Sequence, residues 1–388
     1  MNKDVKIYDG IYFGLDEDAY IAIERLSKSG MKKLRTSPAD FWHESWLNPD
    51  RPDLTPEQER VRQKARLIGR AYHAARLEPE KFAEQYVREL SQADYAGTEG
   101  FISTGADMKA ALKNLGEKQT GNVGEQAQRL AAAGHKGPIW HLEKAAWEAK
   151  VRADQVVIPA KDYEEILVDM ERLKKAQGID DLLSGGAAEV SVLWTCEQTG
   201  IKMKARFDYL KAGEWVEFKT FANPGGKNLR QCIMDAVQYN RYHIDAVSYL
   251  EAANAIKGLA IQGEASDAQK AIVEQIKARP AGLDCQFVFQ QKGGVPNILS
   301  RKFRFFDVPV STKAHEAGLD EDAKALAREK MGRRTAVHIK AAMEIKMAKR
   351  DFAAYSEIYQ RGDPWLPFDP AGEITDADFR PYWLEDVN

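Results

Sequence analysis

The chain has 388 residues, 44% of them hydrophobic, with 56 Lys and Arg set against 59 Asp and Glu, for a formal net charge of −3. That length and apolar content allow a globular chain of two or three domains. No apolar run approaches the roughly 18 residues of a membrane span, and MNKDVKIYDG lacks the pattern of a secretory signal. Cys196, Cys232 and Cys285 are odd in number and far apart, which suggests neither a disulfide framework nor a zinc site and leads to the expectation of a reducing cytoplasm. The acidic balance counts mildly against nucleic-acid binding, unless the basic residues are confined to an inner channel.

In chain order, Ser27 or Ser29 caps a helix through Met31–Leu34, and Ser37-Pro38 starts the next. Residues 48–55, with Pro49 and Pro52, read as a loop. Pro56 to about Leu77 reads as a helix with Ile68, Ala71 and Tyr72 on its apolar side. Residues 85–186 are mostly helical, broken by the glycine-rich GNVG and GHKGP. Strands are predicted at about 188–196, 201–209, 214–220 and 285–291. A single helix is predicted from about Leu229 to Ala255, and one or two charged helices over 314–360, whose default reading is a solvated face.

The stretch KMKARFDYLKAGEWVEFKT carries the chemistry. Met203, Ala205, Phe207 and Tyr209 alternate with Lys204, Arg206 and Asp208 as in a half-buried strand. After a turn at Lys211–Gly213, a second strand carries Glu217 and Lys219. Antiparallel pairing brings Asp208, Glu217 and Lys219 to one face, because residues i and i+2 point the same way. Two carboxylates can hold a hard divalent cation while a lysine orients water or balances a phosphate oxygen. A surface hairpin held by salt bridges is the other reading of these residues.

The surroundings of the hairpin add a resemblance over nearly the whole chain. The sequence holds, in order, LSKSGMKKLRTSPADFW, LIGRAYHAARLEPEKF, AAEVSVLW, Arg206-x-Asp208, Glu217-x-Lys219, QYNRYHIDAVSYLEA and GDPWLPFDPAGEITDADFRPYW. This series resembles the exonuclease domain of RecE-type proteins (exonuclease VIII) in the PD-(D/E)XK nuclease superfamily, which also contains lambda exonuclease.

The resemblance implies an α/β fold: a mixed central sheet flanked by helices, with helical insertions. It divides a single nuclease domain into an N-terminal helical part (1–84), a helical insertion (85–186), a catalytic core (187–300) and a C-terminal helical part (301–388). It makes Asp208, Glu217 and the Phe218 carbonyl metal ligands, with His73 of the G-x-x-x-H helix joining them, and it gives Glu189 and Lys219 catalytic roles. The Q-x-x-x-Y position falls either on Gln238 and Tyr242 or on Asp245 and Tyr249. Ser27, Ser29 and Lys33 are expected at a 5′-phosphate, with neighbouring Lys32 uninvolved, although helix capping explains both serines as well. Three cysteines are too few for the superfamily's iron–sulfur members.

The implied activity is Mg²⁺-dependent digestion of one strand of linear duplex DNA, 5′ to 3′, in phage or prophage recombination, with Mn²⁺ able to substitute. The implied partners are DNA ends, a single-strand annealing (RecT-type) protein and copies of the chain in a ring-like trimer or tetramer, in the cytoplasm and away from membranes. Two rival readings remain. One is a structure-specific or repair endonuclease, the other a non-catalytic DNA-binding protein.

Overall fold

The computed structural model describes residues 7–51, 56–176, 178–221, 223, 225–291, 297–307, 326 and 332–366. The elements begin with β1 (Gly10–Tyr12), α1 (Glu17–Ala22), α2 (Lys28–Thr36) and α3 (Pro38–Glu44). Next come α4 (Pro56–Leu77), α5 (Pro79–Gln85), β2 (Tyr86–Arg88), α6 (Gly105–Asn114), α7 (Val123–Ala132), α8 (Trp140–Glu148), β3 (Val156–Ile158), α9 (Ala160–Lys175) and α10 (Ile179–Leu182). The catalytic candidates lie in β4 (Ala187–Thr195), β5 (Lys202–Leu210), β6 (Glu214–Phe221), α11 (Leu229–Tyr239) and α12 (Tyr242–Ile256). The chain continues through β7 (Ile261–Gln262), α13 (Asp267–Ala278), β8 (Asp284–Gln291), β9 (Ile298–Phe303), β10 (Phe306–Asp307), β11 (Arg333–Arg334) and α14 (Ala336–Ile358).

These elements fall into two compact units, Met1–Asp53 with Asp181–Asn388, and Leu54–Asp180. The second unit starts at Leu54, so the expected insertion at 85–186 is shorter than the unit that forms. The reason is α4, whose Ala71, Ala74 and Ala75 form a small-residue face packed with Phe82, Ile158 and Ile166. A second cluster joins Ile102, Met108, Leu112, Ala127, Leu130 and Ile139. Thr104 and Asn122 start α6 and α7 with reciprocal side-chain caps.

The first unit is mixed α/β. Its seven-stranded sheet runs β7-β1-β4-β5-β6-β8-β9. β6 and β8 pair in parallel, as do β1 and β7, while the remaining neighbours are antiparallel. The four predicted strands form within a residue or so of the expected bounds. β1 was not expected in a helical N-terminal part, and β7 and β9 were not expected either. Three residues such as Gly10–Tyr12 are too few to show a period of two, and only their pairing with β4 and β7 makes them a strand. Val190, Ser191, Val192, Leu193 and Trp194 of β4 are all buried, as in a strand covered on both faces.

The same cover corrects the half-buried reading of β5. Lys204, assigned to its polar face, is 7% exposed, and its ammonium donates to the carbonyls of Tyr20, Ile21 and Ile23 at 3.0, 3.0 and 2.8 Å. Those carbonyls belong to the end of α1, where backbone acceptors lack helical partners. Burial pushes the Lys204 pKa down from 10.5 to about 8. Between those values the unfolded chain binds more protons than the folded one, so stability should rise with pH across that window. Denaturant melts from pH 7 to 10 should show this rise, and Lys204→Met should flatten it. An equal slope in both proteins would remove Lys204 as its source.

The predicted Leu229–Ala255 helix is two helices. It breaks at Asn240–Arg241, where Arg241 takes a left-handed φ of 53°. The expected 314–360 helical run is seen as α14 only from Ala336; Arg333–Arg334 within it form β11 instead, and most of its earlier part lies outside the described residues, as do 52–55 of the expected loop and the C-terminal motif beyond residue 366. Among the described residues no helix is long and apolar enough to cross a membrane. The three cysteines are buried and free.

Candidate active site at the β5–β6 seam

β5 and β6 pair only at Tyr209–Val216 and Leu210–Trp215. Continuing that register would set Asp208 opposite Glu217, but there the backbone ladder gives way to side chains. The Asp208 carboxylate accepts the Phe218 N–H at 2.7 Å, and the Asp208 N–H points to the Glu217 carboxylate at 3.5 Å. The N–H and C=O of one strand residue leave the same edge, so the Phe218 carbonyl opens on this seam too. Beneath it lies the aromatic core, with Trp215, Phe207 and Tyr249 ring centres 5.0–6.4 Å apart.

Glu217 is fully buried, and its carboxylate accepts from Lys219 at 3.0 Å and from Lys28 at 3.4 Å. Burial and then the neighbouring Asp208 charge push its pKa up, outweighing the two ammoniums. Burial and Lys28 work to lower the Lys219 pKa, yet Glu217, Asp208 and Asp245 together raise it, so Lys219 stays charged.

α2 and α12 face each other with matched i, i+4 pairs. Lys28 donates to the Tyr249 hydroxyl and lies 4.1 Å from that ring's centre, while Lys32 pairs with Asp245. Asp245, 3% exposed, also has Lys28 and Lys219 at 3.9 Å each. Burial alone would raise the Asp245 pKa, but these lysines pull it below the usual value. The Tyr249 hydroxyl donates to the Arg206 carbonyl at 2.6 Å.

Glu189 falls at the β4 position opposite Asp208, between the pairs Ala188–Tyr209 and Val190–Phe207. It adopts a left-handed φ of 53°, a costly conformation for a residue other than glycine. Its carboxylate accepts from Arg206 at 2.7 Å, and one of its oxygens lies within 4.8 Å of one from Asp208. Two oxygens at that spacing suit a cation with bonds of about 2.0–2.6 Å. The Asp208 and Glu189 carboxylates at that spacing fit a hard divalent ion, and Glu217 and the Phe218 backbone adjoin Asp208 along the same seam.

The structure thus brings Asp208, Glu217, Lys219, Asp245 and Tyr249 together, with Glu189 beside Asp208. Tyr242 borders the group, its ring centre 5.3 Å from the Lys219 ammonium. Gln238 does not join them: it is exposed on α11, beyond the break at Arg241, so the motif position expected on Gln238 and Tyr242 is not reached by Gln238. His73 is half-buried on α4, in the other unit.

At the start of α2, Ser27 caps the helix through Gly30 N–H and bonds the Ser29 hydroxyl at 2.9 Å, and Lys33 pairs with Glu44. Lys32, expected to be uninvolved, is a partner of Asp245 and donates to the Asn240 carbonyl at 2.8 Å. Lys28 was not among the residues expected at the site. The signal available was its i, i+4 relation to Lys32 one residue into a capped helix, but which helix face meets the sheet is a tertiary fact.

No protein-family model and no curated protein matches the chain. Among solved structures, it is similar to a crystal structure described as "Putative exonuclease" from Eubacterium rectale, with 13% identity over 67% of this chain and 86% of that one, at a TM-score of 0.27. A likeness at that TM-score decides neither fold family nor activity.

Proposed function

We propose that this chain is a divalent-cation-dependent exodeoxyribonuclease with a PD-(D/E)XK core, degrading one strand of linear duplex DNA from its 5′ end. One observation carries the reading: the β5–β6 ladder opens where Asp208 and Glu217 meet, and Lys219 is held on Glu217 at 3.0 Å. A Mg²⁺ or Mn²⁺ ion held by Asp208, Glu217 and the Phe218 carbonyl would supply charge against the phosphate and a more acidic water.

The residues of the chain do the rest. Glu189, fixed by Arg206, supports the Asp208 side of the seam. Lys219 balances charge building on the phosphate. The attacking water gives up a proton to solvent and forms the new P–O bond, the P–O3′ bond breaks, and the departing oxygen takes up a proton from solvent to leave a 3′-hydroxyl and a 5′-phosphate. His73 belongs to the proposal as a further metal ligand through its G-x-x-x-H motif. A role for Ser27, Ser29 and Lys33 at the 5′-phosphate, a ring-like assembly around DNA, and an annealing-protein partner in recombination also belong to it.

The test is digestion of end-labelled linear duplex with Mg²⁺, beside nicked and covalently closed circles. The linear duplex should be consumed from its 5′ ends, faster with 5′-phosphate than with 5′-hydroxyl, and the closed circle should survive. Cutting of the closed circle would favour the endonuclease reading. An inert linear duplex would leave a non-catalytic DNA-binding protein.

A further inference from the structure

Lys28 is a cation of the site that no motif singled out, and its anchoring differs from that of Lys219. Lys219 rises from the same strand as Glu217, whereas Lys28 reaches in from the first turn of α2, a helix whose start favours anions. Its ammonium lies 3.4 Å from Glu217, 3.9 Å from Asp245 and 4.1 Å from the Tyr249 ring centre. Tyr249 is built to hold it. Because its hydroxyl donates to the Arg206 carbonyl, a lone pair is left to accept from Lys28.

Resting on the nuclease reading above, we propose that Lys28 is a further catalytic residue, one that exchanges the carboxylates for the scissile phosphate. Without a divalent ion, the ammonium neutralises Glu217. A cation at Glu217 and Asp208 replaces that attraction with repulsion. Lys28 keeps its hold on Tyr249 and Asp245, and its charge turns to a non-bridging oxygen of the phosphate. Tyr249 is then a positioning residue that acts through Lys28.

This arrangement sets two measured quantities in opposite directions. In Lys28→Met, calorimetric titration of the full chain with Mg²⁺ should show binding about tenfold tighter, because a unit charge within a few ångströms of the ion is gone. Single-turnover cleavage of a linear duplex at saturating Mg²⁺ should nevertheless slow by about a hundredfold, the scale for losing one charge-stabilising donor. Lys28→Arg, which keeps the charge, should bind Mg²⁺ like the wild type and recover part of the rate.

A Met variant with unchanged Mg²⁺ affinity, or one in which affinity, rate and melting temperature fall together, would overturn the proposal. Should Lys28→Met fail to fold, Tyr249→Phe decides instead. It should slow cleavage by about tenfold, on the scale of one lost hydrogen bond to a charged group, while Mg²⁺ affinity stays near that of the wild type. An unchanged rate there overturns the proposal as well. A wild-type chain that neither binds Mg²⁺ nor cleaves DNA would instead sink the nuclease reading, and the role of Lys28 with it.

Discussion

Glu217→Ala is expected to remove Mg²⁺-dependent cleavage, by about a thousandfold or more, and also to lower thermal stability, whereas Asp208→Ala should remove cleavage without that loss. From composition the two carboxylates look equivalent, and relief of like-charge repulsion on removing either would be the natural expectation. Their surroundings separate them. Glu217 is fully buried between Lys219 at 3.0 Å and Lys28 at 3.4 Å. Its loss leaves two ammoniums facing each other, with Asp245 at 3.9 Å from each as the next anion. Breaking a buried pair from one side costs about 3–5 kcal/mol. Asp208 instead helps push up the Glu217 pKa, so removing it relieves repulsion. Thermal melts without divalent ions, run beside end-labelled digestion, check both halves. Cleavage within a few-fold of wild type in either variant would end the metal-site assignment, and a more stable Glu217→Ala would end the electrostatic account.

Lys219→Met is expected to slow single-turnover cleavage by about 10²–10³-fold while Mg²⁺ binding persists, because the loss is of charge stabilisation at the phosphate and not of a ligand. Methionine keeps most of the volume and removes the charge. The ammonium lies 3.0 Å from Glu217 and 5.3 Å from the Tyr242 ring centre, a position fixed by strand, carboxylate and ring together. Calorimetry with Mg²⁺ and a rapid-mixing assay on linear duplex measure the two effects separately. A variant with normal turnover would show that Lys219 serves the fold, as a partner for Glu217.

The site was legible in sequence where it depends on local periodicity. Asp208, Glu217 and Lys219 share a face because strands repeat every two residues, and their strands formed where predicted. Ser27, Ser37 and Pro38 marked helix starts through local capping chemistry. The register of the Q-x-x-x-Y helix was not legible. QYNRYHID carries an unbroken helical pattern, and the break comes from Arg241, which bonds Glu344 of α14 and the Lys32 carbonyl. Those partners stand 103 and 209 residues away in the chain.

By itself, then, the sequence determined the strands β4, β5, β6 and β8, the first helix starts and the acidic hairpin, all of which follow from neighbours a few residues apart. Only the tertiary structure decided that β1 joins the sheet, that Lys204 is buried, that α11 and α12 are separate, and that Lys28 and Lys32 turn toward Asp245 and Tyr249. The physical reason is common to all four. Which face of an element is covered, and which charge finds which counter-charge, depends on surfaces far apart in the chain that meet only when the sheet and its helices close on one another.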